Sequence, residues 1–455
     1  MRPMALLCVL LVGLVGIAAP TITPTPWRYG VIYWVGEVPE NPEAYLNMAT
    51  NWAERVFVFW NLTPLPRPTG DWRSPREVPA ASREEAREIL GPDFPLAGVI
   101  VPGPEEGSFW ALSPLLLGER EIRPLTMVVF AGVNALQEAF CRFGTAGFFV
   151  PSPTPESFPG FPDRQVAALV TESEGPVVVV PLEGRPPFAP NDDFLMLLAH
   201  EMAHWATLVW AEEHGLSMDE MPRLLTEGLA DYTLYSLHSR PLHRLPAKPV
   251  EIHSVSAAWA RRGGLADVPG SLVYSVGLSL VDFLVRKEHT HFVRVLNKLP
   301  EWLEDWPSSL AQWEVEWRDW LGGEVDPGAV VHQRILLDGV FAWAQLVEPL
   351  FPDVWVLVRG IEQEEDVGVF WDYIFGPIPT PSEAALEEMR KRECVLQLMA
   401  QDDEVPPEIR GRAMGYLERL RGLWDAGDGD GYAATFIEAL RSLGAAFRMM
   451  GAEAP

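Results

Sequence analysis

Apolar positions along this 455-residue chain change their period, and the change divides it into regions. Trp27–Gly36 and Arg55–Leu62 are rich in aromatic and β-branched residues, which predicts strands, with a helix-like acidic stretch (Glu40–Glu54) between them. From Thr63 to Arg123 the pattern fades into proline-rich loops, with one short helix near Ser82–Leu90. Short apolar runs bounded by turn residues return at Thr126–Phe130, Gly147–Val150, Val166–Thr171 and Val177–Pro181 and predict strands. Val133–Phe143 has helical spacing.

From Asn191 onward the period is helical. Phe194, Leu197, Leu198, Met202, Trp205 and Val209 share helical spacing, with Asn191 or Asp192 as the expected N-cap and Gly215 as the stop. A second helix is expected from Pro222 to about His238, a third from Ser271 to Lys287, and a fourth over Leu310–Leu321, where Trp313, Trp317 and Trp320 share a face. Further on, Val330–Glu348, Ser382–Ala400, Pro407–Trp424 and Tyr432–Met449 read as helices, with Pro349–Pro381 irregular. The expected class is α+β. Residues 20–121 form a proline-rich β and loop region, 122–323 a domain with a small twisted sheet and long helices, and 324–455 a helical region.

Composition narrows the functional classes. The chain is 48% hydrophobic and 22% charged, enough for a sizeable core. A net charge of −28 argues against nucleic acid and anionic membrane surfaces as partners, since both need basic patches. Arg2, the apolar stretch Ala5–Ala19 and the small residues Gly16, Ala18 and Ala19 predict an export signal over residues 1–19. That stretch falls short of the roughly 20 apolar residues of a spanning helix, so an uncleaved anchor is the weaker alternative. No later segment is long and apolar enough to span, and the mature chain is expected to be secreted or in the cell envelope. Cys8 would leave with the signal; Cys141 and Cys394 then either pair or stand as two separate thiols.

The chemistry-bearing segment is His200-Glu201-Met202-Ala203-His204. On a helix of 3.6 residues per turn, His200 and His204 lie one above the other and can bind one metal ion, while Glu201 projects beside them. There a carboxylate can reach a water that the metal polarises without binding the metal itself. Two surface or capping histidines would give the same pattern, so the motif needs a third ligand. Downstream lies Glu227-Gly228-Leu229-Ala230-Asp231-Tyr232. Glu227 falls early in an otherwise apolar helix, where an unpaired carboxylate is costly. Asp231, four residues on, can accept a hydrogen bond from a ligand histidine and fix its tautomer. Gly228 permits close backbone approach. A solvated acidic helix face is the competing reading.

These two segments, 23 residues apart, resemble the gluzincin, or thermolysin-like, clan of zinc metallopeptidases, and in particular the peptidase MA-like domains. The resemblance covers about residues 122–323, with Trp27–Leu62 as a possible outer piece, and leaves out the proline-rich insert and the C-terminal third. It implies a zincin-like catalytic domain with Zn2+ held by His200, His204 and Glu227, Glu201 as general base and then general acid, and Asp231 behind a ligand histidine. It also implies an oxyanion-stabilising group. Tyr274 on the following helix is the candidate for it, against a plain core tyrosine. The implied substrate is a peptide or protein, lying along the sheet edge with Pro176–Pro181 as strand-addition partner. The competing functions are a catalytically inactive binding module of this fold and a zinc amidase acting on cell-envelope material. The C-terminal helices are a candidate surface for a protein partner. The other seven histidines read as surface or structural residues.

Overall fold

The computed structural model describes residues 21–62, 64–69, 75–103, 105, 107–140, 147–153, 164–183, 190–237, 273–287, 291–321, 343–359, 364–401 and 407–453. The predicted export signal, Cys141 and residues 330–342 of the helix expected over Val330–Glu348 lie outside them. Cys394 is disulfide-bonded.

The central sheet is mixed and has five strands: β1 (Ile22–Trp27), β2 (Gly30–Val35), β9 (Leu125–Gly132), β11 (Val177–Glu183) and β10 (Phe148–Val150), side by side in that order. β2, β9 and β11 run parallel, and the edge strands β1 and β10 are antiparallel to their neighbours. A parallel core needs cover on both faces, which is why these strands read as unbroken apolar runs. Register puts Ile32, Met127 and Val178 in one row, and Trp34, Val129 and Val180 in the next, on the face toward the long helices. Tyr33, Val128 and Val179 form a row on the opposite face, against the short helices α3 (Val133–Phe140) and α4 (Arg164–Thr171).

Several expected elements change type. Arg55–Leu62 is not a strand: it is the end of α1 (Pro42–Phe59) and its cap. Ala49, Trp52, Ala53, Val56, Phe57 and Trp60 are all buried at helical spacing, and that stripe outweighs the β-branched content. Asn61, at φ 57°, closes the helix with bonds from its own N–H to Val58 O and from Leu62 N–H to Phe57 O. Val166–Thr171 is likewise helical, within α4, with Val166, Leu169 and Val170 buried.

The proline-rich region holds more order than loops. β3 (Arg67–Pro68), β7 (Leu115–Leu117) and β8 (Arg120–Ile122) form one small sheet, and β4 (Arg76–Pro79), β6 (Ser108–Leu112) and β5 (Val99–Pro102) another. The expected short helix is present as α2 (Arg83–Leu90), capped by Ser82.

The long helices cover the inner face of the central sheet. α5 (Pro190–Glu213) starts slightly earlier than expected and stops at Gly215, whose φ is +70°. Leu216 N–H reaches back to Ala211 O and Gly215 N–H to Glu212 O, a Schellman closure. From Leu198 to Trp205 every side chain of α5 is buried. α6 (Arg223–Leu237) and α7 (Val273–Lys287) follow as expected. α8 (Phe292–Glu304) was not expected, because Pro300 interrupts its pattern; Phe292, Val295, Leu296 and Leu299 give it a buried face. α9 (Trp306–Leu321) contains the tryptophan-bearing helix, and Trp317 Nε1 donates to Ser279 Oγ at 3.2 Å.

A second core, built around Phe370, Met389, Leu420, Tyr432 and Phe436, lies in the C-terminal part. Its helices are α10 (Val354–Arg359), α11 (Glu364–Phe375), α12 (Glu383–Arg392), α13 (Cys394–Gln401), α14 (Pro407–Ala426) and α15 (Gly429–Glu453). The first two fall where an irregular segment was expected: Phe351, Val354, Trp355, Val358, Phe370 and Ile374 bury apolar surface that a loop would leave exposed. Mixed α and β structure with a helical C-terminal part is thus the observed class. None of the described helices is long and apolar enough to cross a membrane.

Candidate metal centre

α5 and α6 bring the sequence motifs together. His200 and His204 are one turn apart on α5, and their Nε2 atoms are 3.1 Å from each other. Glu227, on the second turn of α6, places Oε2 at 3.3 Å from both of those nitrogens. The three atoms form a nearly equilateral triangle. Ligand atoms about 2.0–2.1 Å from a tetrahedral ion stand about 3.3–3.4 Å apart, so the edges fit such a site. Among the described residues, this is the grouping of side chains that can hold a metal ion.

The polar atoms around the triangle support that fit. Glu227 Oε2 is buried and accepts no hydrogen bond. A buried carboxylate oxygen without a donor costs on the order of 1–3 kcal/mol or more, and among the described residues it faces two imidazole nitrogens. A cation at the centre would satisfy all three.

His200 is oriented from behind. Its Nδ1 lies 2.8 Å from Asp231 Oδ1, one turn beyond Glu227 on α6. Donating there fixes the tautomer that leaves the Nε2 lone pair facing the triangle. His204 has no such support, since its Nδ1 is buried without a partner; the ring stacks on Phe149 of β10 at 6.0 Å between centroids.

Electrostatics follow from burial against charge. Burial pushes the His200 imidazole down, but Asp231 and Glu227 outweigh it and hold the metal-free ring well above its ordinary value. Burial also works against ionised Glu227, yet the two imidazoles hold its carboxyl far below the usual carboxylate range. For Glu201 burial wins: the side chain is 3% exposed, Oε2 has no partner, and its pKa is raised despite the nearby imidazoles. Glu201 Oε1 lies near β10, where a Cβ on Gly147 would come within 3.5 Å of it.

α7 supplies the fourth side of the site. It crosses α6 at a glycine pair, and a Cβ built on Gly228 would sit 2.4 Å from Gly277 O. That close approach puts Tyr274, in the first turn of α7, 6.1 Å ring to ring from His200. Tyr274 is 41% exposed, so it lines an opening and is not the core residue of the competing reading. Burial of its hydroxyl side, with the Glu227 charge, pushes its pKa up to about 12.

All six residues singled out from sequence therefore lie in this one region. Sequence reasoning missed Arg223, Gly147 and Phe149. Arg223 was visible as the residue four before Glu227; the other two depend on strand pairing across distant segments. One expectation is corrected. Val177–Val179 of β11 are hydrogen-bonded to β9 on one side and β10 on the other, so that part of the Pro176–Pro181 stretch offered as a strand-addition partner is interior, and the outermost described strand on that side is β10. No family model matches the chain, and no curated protein or solved structure matches it either.

Proposed function

We propose that the chain is an exported zinc metallopeptidase of the gluzincin type, with zinc held by His200, His204 and Glu227. The observation that carries this reading is the buried triangle of two imidazole nitrogens and one carboxylate oxygen, with Glu201 beside it. Nitrogen and oxygen donors in a three-residue set suit zinc, and three protein ligands leave an open position, as in catalytic sites. A structural site has no use for that position.

Zinc bound there would supply a Lewis acid that polarises a carbonyl and lowers the pKa of water toward about 7. Glu201 takes a proton from the attacking water as the new C–O bond forms, and returns it to the departing amine as the C–N bond breaks. Asp231 holds His200 throughout. Tyr274 donates to the oxygen on which negative charge develops. An extended peptide can lie along β10, the outermost described strand on that side of the sheet, which passes His204 at Phe149, with Glu201 beside the preceding Gly147.

The test is to purify the mature protein, measure bound zinc, and compare cleavage of a mixed peptide library by wild type and Glu201→Gln. Zinc in both, with cleavage lost only in the variant, supports the reading. Zinc in both with no cleavage by either replaces the peptidase with a binding module. Absence of zinc, with His200→Ala indistinguishable from wild type, removes the metal centre altogether.

A further inference from the structure

The two oxygens of Glu227 have different surroundings. Oε2 faces both imidazole nitrogens at 3.3 Å, whereas Oε1 lies 3.6 Å from Arg223 Nε, one turn earlier on α6. Arg223 is the first residue of α6. A cation there opposes the helix dipole, which favours acids in the first turn, so the helix itself gains nothing from it. The side chain is 65% exposed while that of Glu227 is 13% exposed, which sets the guanidinium at the rim of the centre, between the ligand and solvent. From that rim the guanidinium is also close enough to the Tyr274 phenol of α7 for the two groups to act on each other. Arginine has no acceptor, so any hydrogen bond between them has the phenol oxygen accepting and leaves the phenol proton free to donate elsewhere.

The geometry points to Arg223 as a positioning residue of the metal centre, one that occupies Glu227 Oε1 so that Oε2 alone faces the two histidines, and that holds the Tyr274 hydroxyl in the same grip. This rests on the reading of the triangle as a metal site. A carboxylate that offered both oxygens would fill the position which a reacting water needs. With the Arg223 guanidinium paired to Oε1, Glu227 is a one-oxygen ligand and the fourth position stays open. Lysine cannot reproduce this, because a single ammonium lacks the planar fork that reaches two acceptors at once.

Zinc affinity and geometry read this without any substrate. The full chain is stripped with a chelator, and zinc binding is measured by competition with a chromophoric chelator for wild type, Arg223→Met, Arg223→Gln and Arg223→Lys. The visible spectrum of each cobalt(II)-loaded protein reports coordination number, since four-coordinate cobalt absorbs more strongly than five-coordinate cobalt. Melting of the metal-free proteins checks the fold. Arg223→Met and Arg223→Gln are expected to bind zinc more weakly by on the order of tenfold, the lower end for residues behind a ligand, with a weaker cobalt spectrum. Arg223→Lys recovers part of the affinity. Wild-type affinity and spectrum in the folded Met or Gln variant overturns the role of Arg223 and leaves the metal centre standing. A wild-type chain that binds neither zinc nor cobalt overturns the metal reading itself.

Discussion

His200 Nδ1 and Asp231 Oδ1 are 2.8 Å apart, and this contact leaves the opposite ring nitrogen facing His204 and Glu227. Removing the acceptor frees the ring to turn and to change tautomer. Asp231→Ala is therefore expected to weaken zinc binding by about 10–100-fold, with Asp231→Asn less affected because its amide oxygen still accepts. Competition titrations with a chelator check this. Equal affinity in wild type and Asp231→Ala would show that the contact does not support the ligand.

The Gly228–Gly277 crossing sets where Tyr274 stands. A methyl group at either position meets backbone of the other helix well inside contact distance, at 2.4 Å. Gly228→Ala and Gly277→Ala should each force α6 and α7 apart, at a cost of roughly 1–3 kcal/mol for overpacking. Thermal melting measures the loss. A melting point unchanged in both variants would mean that the crossing is looser than described.

Metal removal has a readable consequence for stability. The centre is a buried set of donors that only the folded chain assembles, so zinc held there would bind the native state and not the unfolded one. At free zinc a hundred times its dissociation constant, the stabilisation is about 2.7 kcal/mol. Melting temperature is expected to rise with zinc concentration in wild type and to stay flat in His204→Ala. A rise of equal size in the variant would place the zinc effect elsewhere.

Glu393 in the C-terminal core gives a pH test that is independent of the metal. Its carboxylate accepts from the buried Tyr432 hydroxyl, and burial raises its pKa despite that bond. A raised folded-state pKa means that the stability tied to the proton is present below the ordinary carboxylate range. That stability is lost as pH rises through the raised value. Glu393→Gln keeps an acceptor for Tyr432 and removes the charge. It should melt higher than wild type at pH 8, with the gap closing toward pH 4. A gap that widens on acidification contradicts the assignment.

The site was legible because its parts are local. His200 with His204, and Glu227 with Asp231, are each one helical turn apart, so sequence spacing alone placed each pair on one face. The helices that carry them have strong periodicity and clear stops, such as Gly215. What sequence could not reach depended on partners far along the chain. The identity of the sheet edge follows from β10 pairing with β11, and the neighbourhood of Glu201 includes Gly147 for the same reason. The strand expected at Arg55–Leu62 failed because aromatic and β-branched content was weighed above the helical stripe running from Ala49 to Trp60. The unexpected α8 shows the opposite error, since Pro300 hid a four-residue buried face.

The order of the central sheet sets where the chain can be cut. A truncated protein beginning at residue 122 would contain His200, His204 and Glu227, yet it would lack two of the five strands. It would also lose α1, whose Phe57 packs edge-on against Trp205 at 4.9 Å, next to His204. A piece meant to hold the two histidines and Glu227 in place therefore has to start ahead of Ile22.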